Sequence, residues 1–202
     1  MQPARTKHQT IGSLLFNTGG PGGQATVELI DDRIGLVPFS DSIRDRFDIV
    51  AIDPRGIGLS EQIRCNSTVY NEIAALDSFV TTQSQFDKLY EASPRFEKSC
   101  IDLTWPLIRH LDSATVAHDF EAVRVALGDE PLNYLGLSYG TLIGQAYLEL
   151  YPNNVRTMVL DGNVDHTQLQ QYAKLTESRT YESTLNQFFD WCERRAHQLR
   201  DT

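Results

Sequence analysis

Residues 131–142 read Pro131-Leu132-Asn133-Tyr134-Leu135-Gly136-Leu137-Ser138-Tyr139-Gly140-Thr141-Leu142, and this stretch decides the fold. Its first half is a short, largely apolar run, which suits a strand covered on both faces. Its second half opens a helical pattern that runs from Tyr139 to Leu150 and is closed by Tyr151-Pro152. Between the two stands Gly136-Leu137-Ser138-Tyr139-Gly140. A Gly-x-Ser-x-Gly pattern arises by chance in about one chain in fifteen of this length, so alone it decides little. Its setting decides more. A strand, a tight turn and a helix hold a serine on a strained corner with its hydroxyl outward, and glycines on either side let neighbouring backbone pack close. Ser138 is the candidate nucleophile. The N–H of Tyr139, the next residue, is a candidate donor to an oxyanion.

Working outward, three further strands are predicted. Ile11–Phe16 and Phe47–Ile52 are near-continuous apolar runs, and Val155–Leu160 is a fourth, ending at Asp161. A helix is predicted between them, capped by Asp112 or Ser113, with Val116, Phe120, Val123 and Leu127 on one face and Gly128 as its stop. Alternating strands and helices specify an α/β fold with a mostly parallel sheet flanked by helices. Residues 61–111 are irregular and polar, and are read as loops and short helices over the sheet. Residues 166–202 read as polar helix with an apolar stripe at Leu185, Phe188, Phe189 and Cys192. The expected division is therefore 1–163 for the core and 164–202 for a separate helical segment.

The first strand runs into Asn17-Thr18-Gly19-Gly20-Pro21-Gly22-Gly23. So many glycines in one short loop point to close approach of backbone to a ligand. Acyl transfer needs two N–H groups aimed at the developing oxyanion, and Gly20 is the expected partner of Tyr139. A phosphate loop of the P-loop type would need Gly-Lys-Ser/Thr at its end, where Gln24-Ala25 stands instead, and the Gly-x-Gly-x-x-Gly spacing also fails. After the second strand comes Asp53-Pro54-Arg55-Gly56-Ile57-Gly58-Leu59-Ser60. Asp53 and Arg55 are read as structural, an ion pair and tight turn that hold this loop.

Composition narrows the partners. Acidic residues number 27 against 18 basic, for a formal net charge of -9, which disfavours nucleic acid and anionic membrane surfaces. No apolar run approaches the roughly 20 residues that cross a bilayer. The polar start, Met1–Thr10, lacks the apolar core of a signal peptide, so the chain is expected to be intracellular or to have lost or exchanged its natural beginning. The histidines are scattered without ligand spacing, and no metal or organic cofactor is implied. Of the three cysteines, Cys65, Cys100 and Cys192, no two are close in sequence, and buried thiols or one disulfide fit composition equally.

The glycine loop, the Asp53–Ser60 loop and Gly136–Thr141 stand in the order seen in α/β-hydrolases. Together with Asp119–Leu127 and Met158-Val159-Leu160-Asp161-Gly162, they resemble the proline iminopeptidase and tripeptidyl aminopeptidase branch, the TAP-like hydrolases. The resemblance covers roughly Ile11–Cys192. It implies a larger sheet, a helical cap beginning near residue 164, and a Ser-Asp-His triad acting on peptide amino termini or related esters and amides. It implies a disulfide between Cys65 and Cys100, and a second cysteine soon after Cys192, which this sequence lacks. Relatives of this kind are often secreted, so the compartment stays open.

The triad order in such enzymes is Ser, then Asp or Glu, then His. After Ser138 only His166 and His197 follow, neither in a loop after a final strand, and His197 lies in the charged run Glu193-Arg194-Arg195-Ala196-His197. His110 and His118 precede the serine and are read as structural or exposed. Asp161 is the one candidate acid at a strand end. The chain thus reads as the first half of a larger enzyme that stops inside the cap. Three readings follow: a peptidase-like serine hydrolase whose Asp and His lie elsewhere, in one case on a second chain; an inactive fragment or partner subunit; or an esterase or lactonase of a biosynthetic pathway.

Overall fold

The computed structural model describes residues 1–30, 39–76, 79–128 and 130–198. It falls into two compact units, Met1–Val164 and Asp165–Thr202. The first unit is built on four strands, β1 (Gly12–Asn17), β2 (Phe47–Ala51), β3 (Leu132–Leu137) and β4 (Val155–Asp161), in the order β2-β1-β3-β4. Every pairing is parallel, with Leu14 opposite both Ile49 and Asn133, and Leu137 opposite Asp161. Parallel neighbours require crossovers. Here these include the helices α1 (Ala25–Ile30), α2 (Asp41–Arg46) and α6 (Gly140–Leu150).

The unbroken apolar runs have a simple cause. Successive residues of a strand point to opposite faces, and both faces of β1 are covered. Leu15 joins Val50, Phe120, Leu132, Tyr134 and Ile143 in one buried cluster, and Leu14 and Phe16 join Ala25, Leu29 and Ile49 in another. The first cluster is roofed by α6 and by α5 (Ser113–Ala126), whose cap is Asp112, its carboxylate accepting from the Thr115 N–H at 2.9 Å. On α5, Val116 and Phe120 are buried as their spacing predicts, whereas Leu127, at the C-cap, is 40% exposed.

Residues 61–111 differ from expectation. They contain α3 (Ser67–Ala74) and a 22-residue helix, α4 (Gln83–Thr104), whose main partners are each other and the 3-10 turn at Leu107–Arg109 rather than the strands. A helix that buries only Cys100 and Thr104 leaves little periodic signal, and Pro94 lies inside it. Its start is nevertheless written in the sequence, as the capping box of Thr82 and Gln85. Cys65 and Cys100 form a disulfide, as the family resemblance implied. Beside it the Thr104 hydroxyl accepts from Arg64 N–H and donates to Arg64 O.

The polar amino terminus lies along β2, where Gln2 and Ile49 exchange backbone hydrogen bonds of 2.8 Å in an antiparallel bridge. The second unit is mainly the helix α7 (Gln170–Gln198). Leu185, Phe188 and Phe189 on it are about half exposed, Phe188 stacks on Trp191, and Cys192 is a half-buried free thiol. The side chain of His197 lies outside the described residues. Among the described residues no helix is long and apolar enough to cross a membrane.

Candidate functional site

Ser138 occupies the turn between β3 and α6, at the carboxyl ends of the strands, where parallel sheets bind their ligands. Its φ is 51°, and among the described residues it is the only non-glycine residue with a positive φ. Such a conformation costs a serine on the order of 1–2 kcal/mol, so the surroundings must impose it. They do so from several sides. The Ser138 N–H donates to Asp161 O at the end of β4 (2.8 Å), and the Ser138 carbonyl accepts from both the N–H and the hydroxyl of the fully buried Thr141 (2.9 and 2.6 Å). The Thr141 hydroxyl in turn accepts from Val164 N–H at 3.0 Å. Tyr134, buried under the turn, donates its hydroxyl to Gly140 O at 2.7 Å, and burial pushes its phenol far above the ordinary range, so it remains a donor.

The turn is also closed against the glycine loop. A Cβ at Gly140 would lie 2.8 Å from Asn17 Oδ1 and 2.9 Å from Asn17 O. From the other side, a Cβ at Gly19, whose φ is 86°, would collide with Leu137 O and stand 2.9 Å from Tyr139 N. The two backbones touch only because neither position carries a side chain. The loop folds on itself through the Gly23 N–H to Gly19 O bond (3.0 Å) and on Asn17, whose Oδ1 accepts from Gly19 N–H (3.0 Å). Gly20 is exposed and Tyr139 half-buried; among the described residues neither N–H has an acceptor. The Tyr139 ring is held by a 2.9 Å hydrogen bond between its hydroxyl and that of Ser113 on α5.

A cavity of about 260 Å³ opens beside this junction, lined in part by Asn17, Gly19, Pro21, Arg55, Tyr139 and Ile143. A second, of about 200 Å³, lies among Arg124, Asn133 and Arg156 at the opposite ends of the strands. The first adjoins the glycine loop and the residue after Ser138.

Asp53 and Arg55 are structural, but they do not pair with each other. Asp53, 3% exposed, accepts from Thr26 N–H (3.0 Å), Thr26 hydroxyl (2.5 Å) and Leu59 N–H (2.9 Å), which ties its loop to α1. Arg55 instead forms a two-pronged bond with Asp119 of α5, at 2.7 and 2.5 Å. Local sequence pattern does not reveal Asp119, because its partner lies 64 residues away. A buried carboxylate already satisfied by three donors has no need of a cation.

Ser138 is exposed, and its hydroxyl has no hydrogen-bond partner among the described residues. His118 is committed to Tyr151 through its Nδ1 (2.5 Å), and the His110 carbonyl accepts from Arg55. Asp161 reaches the turn through its backbone carbonyl. His166 belongs to the second unit.

Comparison with known proteins places this geometry in a family. The family model described as the alpha/beta hydrolase fold matches residues 12–197. The chain is 35% identical over 190 residues to "Serine protease Hip1" of Mycobacterium tuberculosis, covering 92% of this chain and 36% of that protein. It is 28% identical over 202 residues to the "Tripeptidyl aminopeptidase" of Streptomyces coelicolor, covering 98% and 37%. It is 33% identical over 192 residues to "Carboxylesterase B" of Mycobacterium tuberculosis, covering 92% and 36%. The chain therefore spans little more than a third of the length of the curated relatives it matches.

Proposed function

The chain belongs to the α/β-hydrolase family, and on that premise we propose that it carries the nucleophile part of a peptidase-like serine hydrolase. Ser138 Oγ attacks the carbonyl of an amino-terminal peptide unit, and the N–H groups of Gly20 and Tyr139 receive the negative charge that develops on its oxygen. The observation that carries this reading is the imposed positive φ of Ser138, directly against a glycine loop whose Gly20 N–H, like that of Tyr139, has no acceptor among the described residues. The relatives named a serine protease and a tripeptidyl aminopeptidase favour peptides as substrates. Residues 164–202 are then assigned to a helical cap, distinct in sequence from the core at 1–163.

A serine needs a base to take its proton. Among the described residues of the first unit no histidine hydrogen-bonds to Ser138, so the base is supplied from outside that unit, by a residue of this protein or of a second chain. Labelling with a fluorophosphonate probe, beside Ser138→Ala, tests the assignment. Slow labelling confined to Ser138 and lost in Ser138→Ala is expected of the 202-residue chain. Equal labelling of both proteins would remove Ser138 from the mechanism. Fast labelling, on the timescale of a complete serine hydrolase, would place a base within these residues, and His166 would be substituted first.

One relative bears the name of a carboxylesterase, and the same turn and loop serve any acyl transfer. A panel of tripeptide anilides and short-chain nitrophenyl esters separates the two. Turnover of esters with no turnover of anilides, in a form of the protein that labels fast, would favour the esterase.

A further inference from the structure

Asn17 ends β1 and is 1% exposed. Its carboxamide has two halves with different fates. Oδ1 accepts from Gly19 N–H at 3.0 Å, which fixes the orientation of the amide, because a backbone N–H can only donate. Nδ2 is buried and has no hydrogen-bond partner among the described residues. A buried donor left unsatisfied costs roughly 1–3 kcal/mol, and nearly all such groups in folded proteins find partners.

The acceptor half alone does what the fold needs at this position, pinning the glycine loop while the Asn17 backbone lies against Gly140. The donor half is surplus to the fold. It belongs to a residue that lines the 260 Å³ cavity together with Gly19, Pro21 and Tyr139. Its natural partner is an acceptor oxygen brought in by a ligand.

We propose that Asn17 Nδ2 is a third donor to the acyl oxygen of the substrate, joining the N–H groups of Gly20 and Tyr139. This rests on the serine-hydrolase reading of the site and adds to it a neutral, unpartnered side-chain donor whose amide is held by the Gly19 N–H. A carboxamide suits this role, because its hydrogen bond strengthens as charge develops on the oxygen and it has no charge of its own to bury. Where side-chain donors of this type have been removed from other serine hydrolases, kcat falls by roughly 10²–10³.

The test is a titration of the ¹⁵N-labelled 202-residue chain with a tripeptide aldehyde, Ala-Ala-alaninal, followed by NMR. The Asn17 side-chain amide is assigned through its proximity to the Gly19 N–H. A downfield shift of the Asn17 Nδ2 protons that saturates together with a shift of the Tyr139 N–H is expected. If Tyr139 responds and Asn17 does not, the inference is overturned while the hydrolase site stands. If neither responds, both fail. Asn17→Asp supplies a second readout, since it keeps the acceptor for Gly19 and removes the donor. Affinity for the aldehyde should drop at least tenfold while the Gly19 N–H resonance holds its place. Unchanged affinity in a folded Asn17→Asp protein would also overturn the inference.

Discussion

Replacing Gly19 with alanine would drive a Cβ onto the Leu137 carbonyl oxygen, at a φ of 86°. Gly22 makes a useful contrast, because its φ is 108° but nothing lies within 4 Å of an added Cβ. Both substitutions incur backbone strain on the order of 1–3 kcal/mol, and only Gly19→Ala adds a clash with the serine turn. We expect Gly19→Ala to lower unfolding free energy in urea by about 1 kcal/mol or more beyond Gly22→Ala. Equal losses would show that the contact between loop and turn is soft. Glu121 gives a second prediction at this scale. Its carboxylate accepts from Arg124 Nε and Nη2 (2.8 Å each), from the Tyr147 hydroxyl (2.5 Å) and from Asn154 (2.9 Å). These bonds, Arg124 foremost, hold it at about 2, below the ordinary 4.5. The folded value lies below the unfolded one, so the stabilisation is complete above about pH 4.5 and is lost as pH falls from there towards 2. At about 1.4 kcal/mol per pH unit this is on the order of 3 kcal/mol. Melting temperatures should fall steeply across that window, and Glu121→Gln should flatten the fall while lowering Tm at neutral pH. A wild-type acid profile that Glu121→Gln leaves unchanged would assign the loss to other carboxylates.

Among the elements, the α3–α4 pair is held largely by its own bonds. The Cys65–Cys100 disulfide closes a separation of 35 residues, worth roughly 3–4 kcal/mol by loop entropy, and Arg95 pairs with Glu72 across the two helices. Because this pair packs chiefly on itself, removing the disulfide should loosen it locally. In Cys65→Ser/Cys100→Ser, limited proteolysis is expected to cut between residues 66 and 104 at least tenfold faster, while hydrogen-exchange protection of β1 and β3 stays unchanged. Loss of protection in the strands would mean that the helices are part of one cooperative unit. The same contrast explains what can be read from sequence. The strand β1 and helix α5 are legible because their apolar residues match how each element is covered, on both faces in Leu14-Leu15-Phe16 and on one face in Val116 and Phe120. The long α4 is not, because almost none of it is buried. At the site, Ser138 and the glycine loop are visible as motifs. Asn17 stands inside the quoted motif but carries no signal there, since its two amide halves differ only once the fold places Gly19 N–H against one of them. The Arg55–Asp119 bond is hidden for a different reason: contacts of long sequence separation leave no trace in local pattern.

At the scale of the whole molecule, the two edges of the sheet are treated differently. The outer side of β2 is covered by the antiparallel bridge from Gln2, whereas β4 pairs only with β3 among the described residues, and its Val159 is 54% exposed. A parallel strand with a free side offers a row of unpaired N–H and C=O groups, a template for another chain. Within the second unit, α7 presents half-exposed Phe188, Phe189 and Trp191, a further apolar surface. The 202-residue chain by itself is therefore expected to self-associate as concentration rises, which sedimentation equilibrium would show. The sites of association can be told apart by charge. Val159→Lys blunts a β-edge and leaves α7 untouched, so a shift towards monomer in Val159→Lys assigns the contact to β4. If Phe188→Lys and not Val159→Lys restores the monomer, the apolar face of α7 is the contact. A wild-type chain that stays monomeric at every concentration would mean that β4 is covered in solution, and hydrogen exchange at Val159 and Leu160 would then be slow.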